Sequence, residues 1–264
     1  MFNSVRFVTY GTGHYWPVAQ QLASEANATG WFASSAAYGR SVLPVAFAQK
    51  YAAVLARPRG AGYWIWKVAL LRHALRAMSP GDFLVYADAG CELNVHGAVR
   101  FTHYLERLSA SVFDIISFQL EHEEHKFTTA RVFDHFNISR DDAHIRNSKQ
   151  YSATALIMRH GPHLHRCLQA LEGALEADPW LFTDAYSVDA RAADPAFVSA
   201  RHDQSLFSVV RKLLGSVVLA DETWPPEQRA YPLWASRRRN AAAPRRTLNS
   251  TRGFTTGKMK HDTR

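Results

Sequence analysis

The 264-residue chain is poor in cysteine, with only Cys91 and Cys167, so no disulfide framework is written into it. It has no run of about 18 apolar residues, which excludes an ordinary transmembrane helix. The start, MFNSVRFVTYG, has no apolar stretch behind a basic one, so a secretory signal is not expected and the default location is cytoplasmic. Sequons at Asn27, Asn137 and Asn249 carry little meaning without such a signal. The glycines at 11 and 13 lack the third member of G-x-G-x-x-G, since position 16 is Trp, which removes a dinucleotide fingerprint.

Most of the chain also lacks net charge. The formal +8 resides entirely in residues 225–264, where ten Lys and Arg face only Glu227 and Asp262; residues 1–224 hold 21 charges of each sign. The high isoelectric point therefore describes a tail, and a nucleic-acid-binding surface over the whole fold loses its main support. The tail is expected to be disordered, because so few apolar side chains cannot offset the ordering entropy. Such a tail suits peripheral contact with anionic lipid. The expected organisation is thus a folded body over 1–224 and a basic tail over 225–264.

Within the body, apolar content is high, at 47% for the chain, and so is the aromatic share, at 12%. Residues 5–10 (VRFVTY) read as a first buried strand and 82–87 (DFLVYA) as a central one. Further strands are expected near 31–36, 114–119, 153–158 and 216–220. Helical spacing appears over 17–26, 45–55, 64–78, 97–108, 160–176 and 203–214. This alternation predicts a single α/β domain with a mostly parallel central sheet and flanking helices. In such sheets ligands bind beyond the carboxyl ends of the strands, so Thr9, Tyr10 and Gly11, the Asp88–Gly90 turn and residues 119–121 are expected along one edge.

Three segments carry candidate chemistry. In 82–94 (DFLVYADAGCELN) a hydrophobic strand delivers Asp88 to its tip, followed by small residues including Gly90. A carboxylate there suits a hard divalent cation that also grips phosphate oxygens, with Glu92 as a second acid; Asp88 could equally cap a turn. In 59–67 (RGAGYWIWK) a glycine-flanked loop opens a helix, whose free N–H groups suit a diphosphate. Lys67 sits where a cation gains nothing from the helix dipole and is expected to serve a ligand. Tyr63 and Trp64 offer faces for a base or sugar, whereas Trp66 heads the apolar stripe and reads as core. In 201–208 (RHDQSLFS), Arg201, His202, Asp203 and Gln204 crowd one loop before an apolar helix. Asp203 is a candidate general base, Gln204 a hydroxyl binder and His202 a third metal ligand; Asp203 or Ser205 is alternatively only an N-cap. The run 121–125 (EHEEH) lacks the H-E-x-x-H order and reads as a solvated loop. Gln150 is expected to face the cleft, and His160, His163 and His165 the surface.

These blocks, in this order, resemble a family of bacterial and large-virus glycosyltransferases of the A-type (GT-A) fold. The resemblance rests on Phe7–Gly11 (FVTYG), the RGxGYWxWK block at 59–67, the GDxxxYxDAGCxxN block at 81–94 and the RxDQSxFS block at 201–208. It spans about residues 5–222. Val68 stands where the family has Pro, Ala200 where a His precedes the Arg, and the acid motif lacks the second Asp of D-x-D. The resemblance implies a UDP-, GDP- or dTDP-sugar donor, a glycan or glycolipid acceptor and Mn²⁺ or Mg²⁺, with Asp88 as the metal acid and Asp203 and Gln204 facing the sugar. Two other functions compete with it. One is an inactive protein that binds sugar nucleotides or carbohydrate; the other is a nucleic-acid-associated protein acting through its tail.

Overall fold

The computed structural model describes residues 3–224 and 229–241. The central sheet has the order β2-β1-β3-β7. β1 (Val5–Tyr10) lies between β2 (Ser34–Tyr38) and β3 (Phe83–Ala87), parallel to both, and β7 (Ala155–Arg159) runs antiparallel to β3. A second sheet, β6-β5-β8, joins β5 (Ile116–Glu123) to an antiparallel β6 (Lys149–Tyr151) and a parallel β8 (Val217–Ala220). A bridge between Ile115 and Met158 connects the two sheets. The molecule is α/β with a parallel-rich central sheet, as the alternation of patterns predicts.

Strands buried on both faces read as continuous apolar runs, and the two-residue period sorts them. Val8, Tyr10, Leu84, Tyr86, Leu156 and Met158 face one core, shared with α2 (Trp66–Leu75), α4 (Pro162–Ala177) and α5 (Asp203–Leu214). Phe7, Phe83, Val85 and Ile157 face the other, closed by Leu22 of α1 (Trp16–Ala28) and by Phe101, Leu105 and Leu108 of α3 (Ala98–Ser109).

Three expectations are corrected. The second strand begins at Ser34, not near Trp31, because Trp31 stacks on Phe101 instead of pairing. Residues 119–121 lie on the second sheet, so they share no sheet edge with Gly11 and Gly90. The body does not end at 224. Residues 229–241 return to it: β9 (Leu233–Trp234) pairs antiparallel with β4 (Glu92–Leu93), and Asn94 Nδ2 donates to the carbonyls of Arg229 and Tyr231. Arg238 buries its guanidinium against Glu25, at 2.9 Å, while its N–H donates to Gly90 O at 2.8 Å. A strand of two residues is too short to leave a periodic trace, so the sequence hides it. The rest of the expected tail, from 242 on, lies outside the described residues. Among those described, no helix is long and apolar enough to cross a membrane.

Candidate active site

β3 is wholly buried, and Asp88 is the first residue past its end with a side chain that reaches solvent, at 31% exposure. Its N–H donates to Thr154 O (2.9 Å), and its carbonyl accepts from Cys91 N (2.9 Å), which closes a tight turn. Gly90 lets the chain pack closely there: a Cβ would lie 3.1 Å from Arg238 O and 3.3 Å from Arg237 Cα, so the 237–238 backbone would have to give by a few tenths of an ångström. The Asp88 carboxylate caps nothing; Oδ1 accepts from the Tyr86 hydroxyl.

Lys67, on the first turn of α2, is 1% exposed. Its ammonium lies 2.5 Å from Asp203 Oδ2, 2.9 Å from Ala153 O and 3.4 Å from Asp88 Oδ1, and 4.8 Å from the Tyr86 ring centroid. Its hydrogen bonds go to Asp203 and Ala153 and Asp88 lies at ion-pair distance, so the cation expected to serve a ligand faces two aspartates. Burial opposes its charge, but Asp203 and Asp88 together raise its pKa above the ordinary lysine value.

Asp203 opens α5 at 6% exposure. The N-cap is His202, whose φ of 55° and ψ of −125° put it in a region that non-glycine residues avoid. Neither Asp203 nor Ser205 caps the helix; Ser205 Oγ instead donates to Phe127 O (2.7 Å) and accepts from Arg201 N (3.2 Å). Burial pushes the Asp203 carboxyl up to about 6, with Lys67 opposing the rise and Asp88 adding to it. The group is therefore mostly ionised at neutral pH and titrates just below it.

The segment before Lys67 is strained. Gly60, Ala61, Gly62, Tyr63 and Trp64 all have positive φ, from 52° to 103°. A left-handed turn costs roughly 1–2 kcal/mol for each residue bearing a Cβ, here three of them. The glycines answer to space as well: a Cβ on Gly60 would meet the Trp64 ring at 2.4 Å, and one on Gly62 would meet Leu55 Cα at 2.7 Å. Asp184, which no sequence pattern singles out, holds this turn. Its Oδ2 accepts from Arg59 Nη1 and the Tyr63 hydroxyl, both at 3.1 Å, and its Oδ1 lies 3.0 Å from His202 Nε2. One carboxylate thus ties the loop preceding Lys67 to the loop preceding Asp203. His202, Tyr63 and Arg59 together hold Asp184 below the usual carboxylate range against the opposing effect of burial, the largest single influence.

The other expected site residues divide into two groups. Arg201 and Gln204 lie on either side of Asp203 along the chain, and the Arg201 guanidinium stacks over Phe127 at 4.7 Å, its buried Nε without a partner among the described residues. Thr9 and Tyr10 are core residues instead of ligand surfaces: Thr9 is fully buried, and Tyr10 stacks on Trp66 at 3.7 Å, with burial pushing its hydroxyl up to about 12. Gly11 is held by a bond from its N–H to Tyr38 O. Trp66 is core, as expected. Trp64 has Gly60 against its ring and His202 stacked on it at 5.6 Å, and Tyr63 gives its hydroxyl to Asp184, so these rings brace the turn. His202 is engaged by Asp184, and Glu92 lies on β4 opposite Trp234 with no ion pair or hydrogen bond to Asp88. Among the described residues no three His, Cys, Asp or Glu side chains form a metal-binding group. Two clefts of about 480 and 580 Å³ lie toward the opposite end of the sheet, around His160, and neither is lined by Lys67, Asp88 or Asp203.

Two solved glycosyltransferases share the chain's outline. One is described as a glycosyltransferase involved in the glycosylation of the major capsid of PBCV-1; it aligns at TM-score 0.46 and 9% identity over 88% of this chain and 93% of that one. The other is mouse xyloside xylosyltransferase 1 in its apo form, at TM-score 0.38 and 10% identity over 83% and 85%. Neither likeness bears on the chemistry. No family model and no curated protein matches the sequence.

Proposed function

We propose that the chain transfers a glycosyl group from a nucleoside-diphosphate sugar to a hydroxyl of a carbohydrate or glycoconjugate acceptor. One observation carries this reading: Asp88 and Asp203, from motifs far apart in the chain, meet on the single buried ammonium of Lys67 beyond the carboxyl end of β3. Two carboxylates on one cation leave an excess of negative charge at the mouth of the site. That excess favours a further cation or a proton, the two species that sugar transfer from a diphosphate needs.

Asp203 is the base. A carboxyl near 6 is ionised at neutral pH yet basic enough to take the acceptor's proton as oxygen attacks the anomeric carbon. A single base at that point suits inversion. Lys67 fixes Asp203 and keeps it charged. Asp88 fits a divalent cation in a limited way: its Oδ1 is committed to Tyr86 and Lys67, and its Oδ2 is uncommitted. Mn²⁺ or Mg²⁺ would be held by Asp88, with phosphate oxygens and water completing its shell, and would offset the charge of the departing diphosphate. Arg201, whose Nε has no partner among the described residues, takes the phosphate-facing role expected of Lys67, and Gln204 faces the sugar.

The test is a screen of UDP-, GDP- and dTDP-sugars with Mn²⁺, read as released nucleotide with and without acceptor glycans. Turnover with at least one donor is expected, and its loss in Asp88→Asn at unchanged thermal stability. Equal turnover in that variant would overturn the assignment of the site.

A further inference from the structure

Glu124 is a fully buried carboxylate outside the aspartate pair. It starts the short helix Glu124–Phe127 after β5, within the EHEEH run whose sequence suggests a solvated loop. Its Oε1 accepts from the Thr128 hydroxyl at 2.6 Å and from Gln150 Nε2 at 2.9 Å. Its Oε2 accepts from the Ser208 hydroxyl at 2.5 Å and from the Lys212 ammonium at 2.6 Å. Four donors converge on one acid.

A carboxylate only accepts, so the side of the Gln150 amide facing Glu124 must be its NH₂. The second hydrogen of that NH₂ is placed as well: Thr128 Oγ1 lies 3.3 Å away and has already given its own proton to Glu124. Gln150 is therefore obliged to turn its carbonyl toward Gln204, whose Nε2 donates to it at 2.7 Å. Gln204 Oε1 then meets the N–H of Ala153 at 3.4 Å, the residue whose carbonyl accepts from Lys67. Glu124 and Gln150 are fully buried, and Gln204 is partly exposed beside Asp203. The chain of amides thus runs from a closed interior to the open site, and its direction is set at the buried end.

We propose that Glu124 is a positioning residue that fixes, through Gln150, the orientation of the Gln204 amide, so that an N–H donor and not a carbonyl is presented to a ligand oxygen. The inference rests on the reading that Gln204 faces the sugar, and the ligand group it selects is a hydroxyl, ring or phosphate oxygen acting as acceptor. The reversed amide would set carbonyl against carbonyl at Gln150, two acceptors with no proton between them.

Glu124→Gln replaces an obligate acceptor by an amide that can face either way, so the relay loses its direction. The double variant Glu124→Gln/Gln150→Glu moves the carboxylate next to Gln204 and restores an acceptor there. In ¹⁵N–¹H spectra of the full chain, the Gln204 side-chain amide is expected to shift and exchange faster with solvent in Glu124→Gln, and to return toward its original position in the double variant. In kinetics, Glu124→Gln is expected to raise KM for the donor about tenfold with kcat little changed, and to add nothing in a Gln204→Ala background, as members of one network do. Unchanged Gln204 resonances in folded Glu124→Gln, or a full additional loss on top of Gln204→Ala, would overturn the proposal. The spectra need no turnover, so a chain that transferred no sugar would still confirm or refute the relay.

Discussion

The central sheet carries a buried acid–base pair toward each end, and the two differ in stoichiometry. At one end Asp114 meets Arg159: Nε and Nη2 both lie 2.7 Å from Oδ1, while Oδ2 accepts the N–H groups of His163 and Leu164 at the start of α4. One carboxylate faces one guanidinium and a helix N-terminus, and each charge is answered. At the other end Asp88 and Asp203 share Lys67, and the surrounding backbone is strained at residues 61, 63, 64 and 202. A pair that is complete within the protein stabilises the fold; a set left with surplus negative charge has a use for what arrives from solution. His163, expected at the surface, belongs to the complete end: it is buried, with Nδ1 accepting from Asp114 N and Nε2 against Leu214 O.

That contrast can be broken most directly at Asp203. Asp203→Asn is expected to lower kcat by about a thousandfold, within the range of a lost general base, with little change in thermal midpoint. A stability loss without a kinetic one would make the two ends equivalent. Asp114→Ala should do the reverse, lowering unfolding free energy in urea by about 3–5 kcal/mol because Arg159 is left uncompensated, while activity per folded molecule stays the same. Lys67→Met should come next. With its cation gone, Asp203 loses the main influence that lowers it while burial and Asp88 still raise it, so the acid limb of the kcat/KM profile is expected to move upward by a pH unit or more; an unmoved limb would separate Lys67 from the base.

In the unaltered protein the acid limb should lie near pH 6, with activity falling below it as Asp203 takes up a proton. Stability moves the opposite way. A carboxyl raised by folding binds its proton more tightly in the folded state, so protonating Asp203 stabilises: the contribution grows as pH falls through about 6 and is complete below the ordinary value of 3.8. The smallest effect is expected for Asp184→Asn. It keeps one oxygen to accept from Arg59 and Tyr63, replaces the oxygen facing His202 Nε2 with an amide donor and loses the charge, and should cost a few-fold in kcat/KM; no change would remove Asp184 from the account of the site.

Much of this was legible in residues 82–94 and 201–208, because a buried strand that ends in an acid and an apolar helix that starts in one are local patterns. The central strands and the long helices followed from period alone. Lys67 was legible as an anomaly, a cation in the first turn of a helix, but not as the partner of two acids brought from elsewhere. Asp184 had no signal, since an Asp in a polar loop is ordinary until the turn it restrains is seen. Glu124 gave a misleading one: four polar neighbours in sequence suggest solvent, whereas the structure surrounds the acid with Thr128, Gln150, Ser208 and Lys212.

The sequence by itself determined the layered α/β body, the order of its elements and the two acids placed at their ends, because hydrophobic period and chain breaks act over a few residues. Only the tertiary structure decided that Lys67 belongs to those acids, that residues 229–241 close over the Asp88 turn, and that the buried carboxylate at 124 and the half-buried one at 184 hold the loops. Charge pairing and burial depend on which distant segments meet in space, and no window along the chain contains that information.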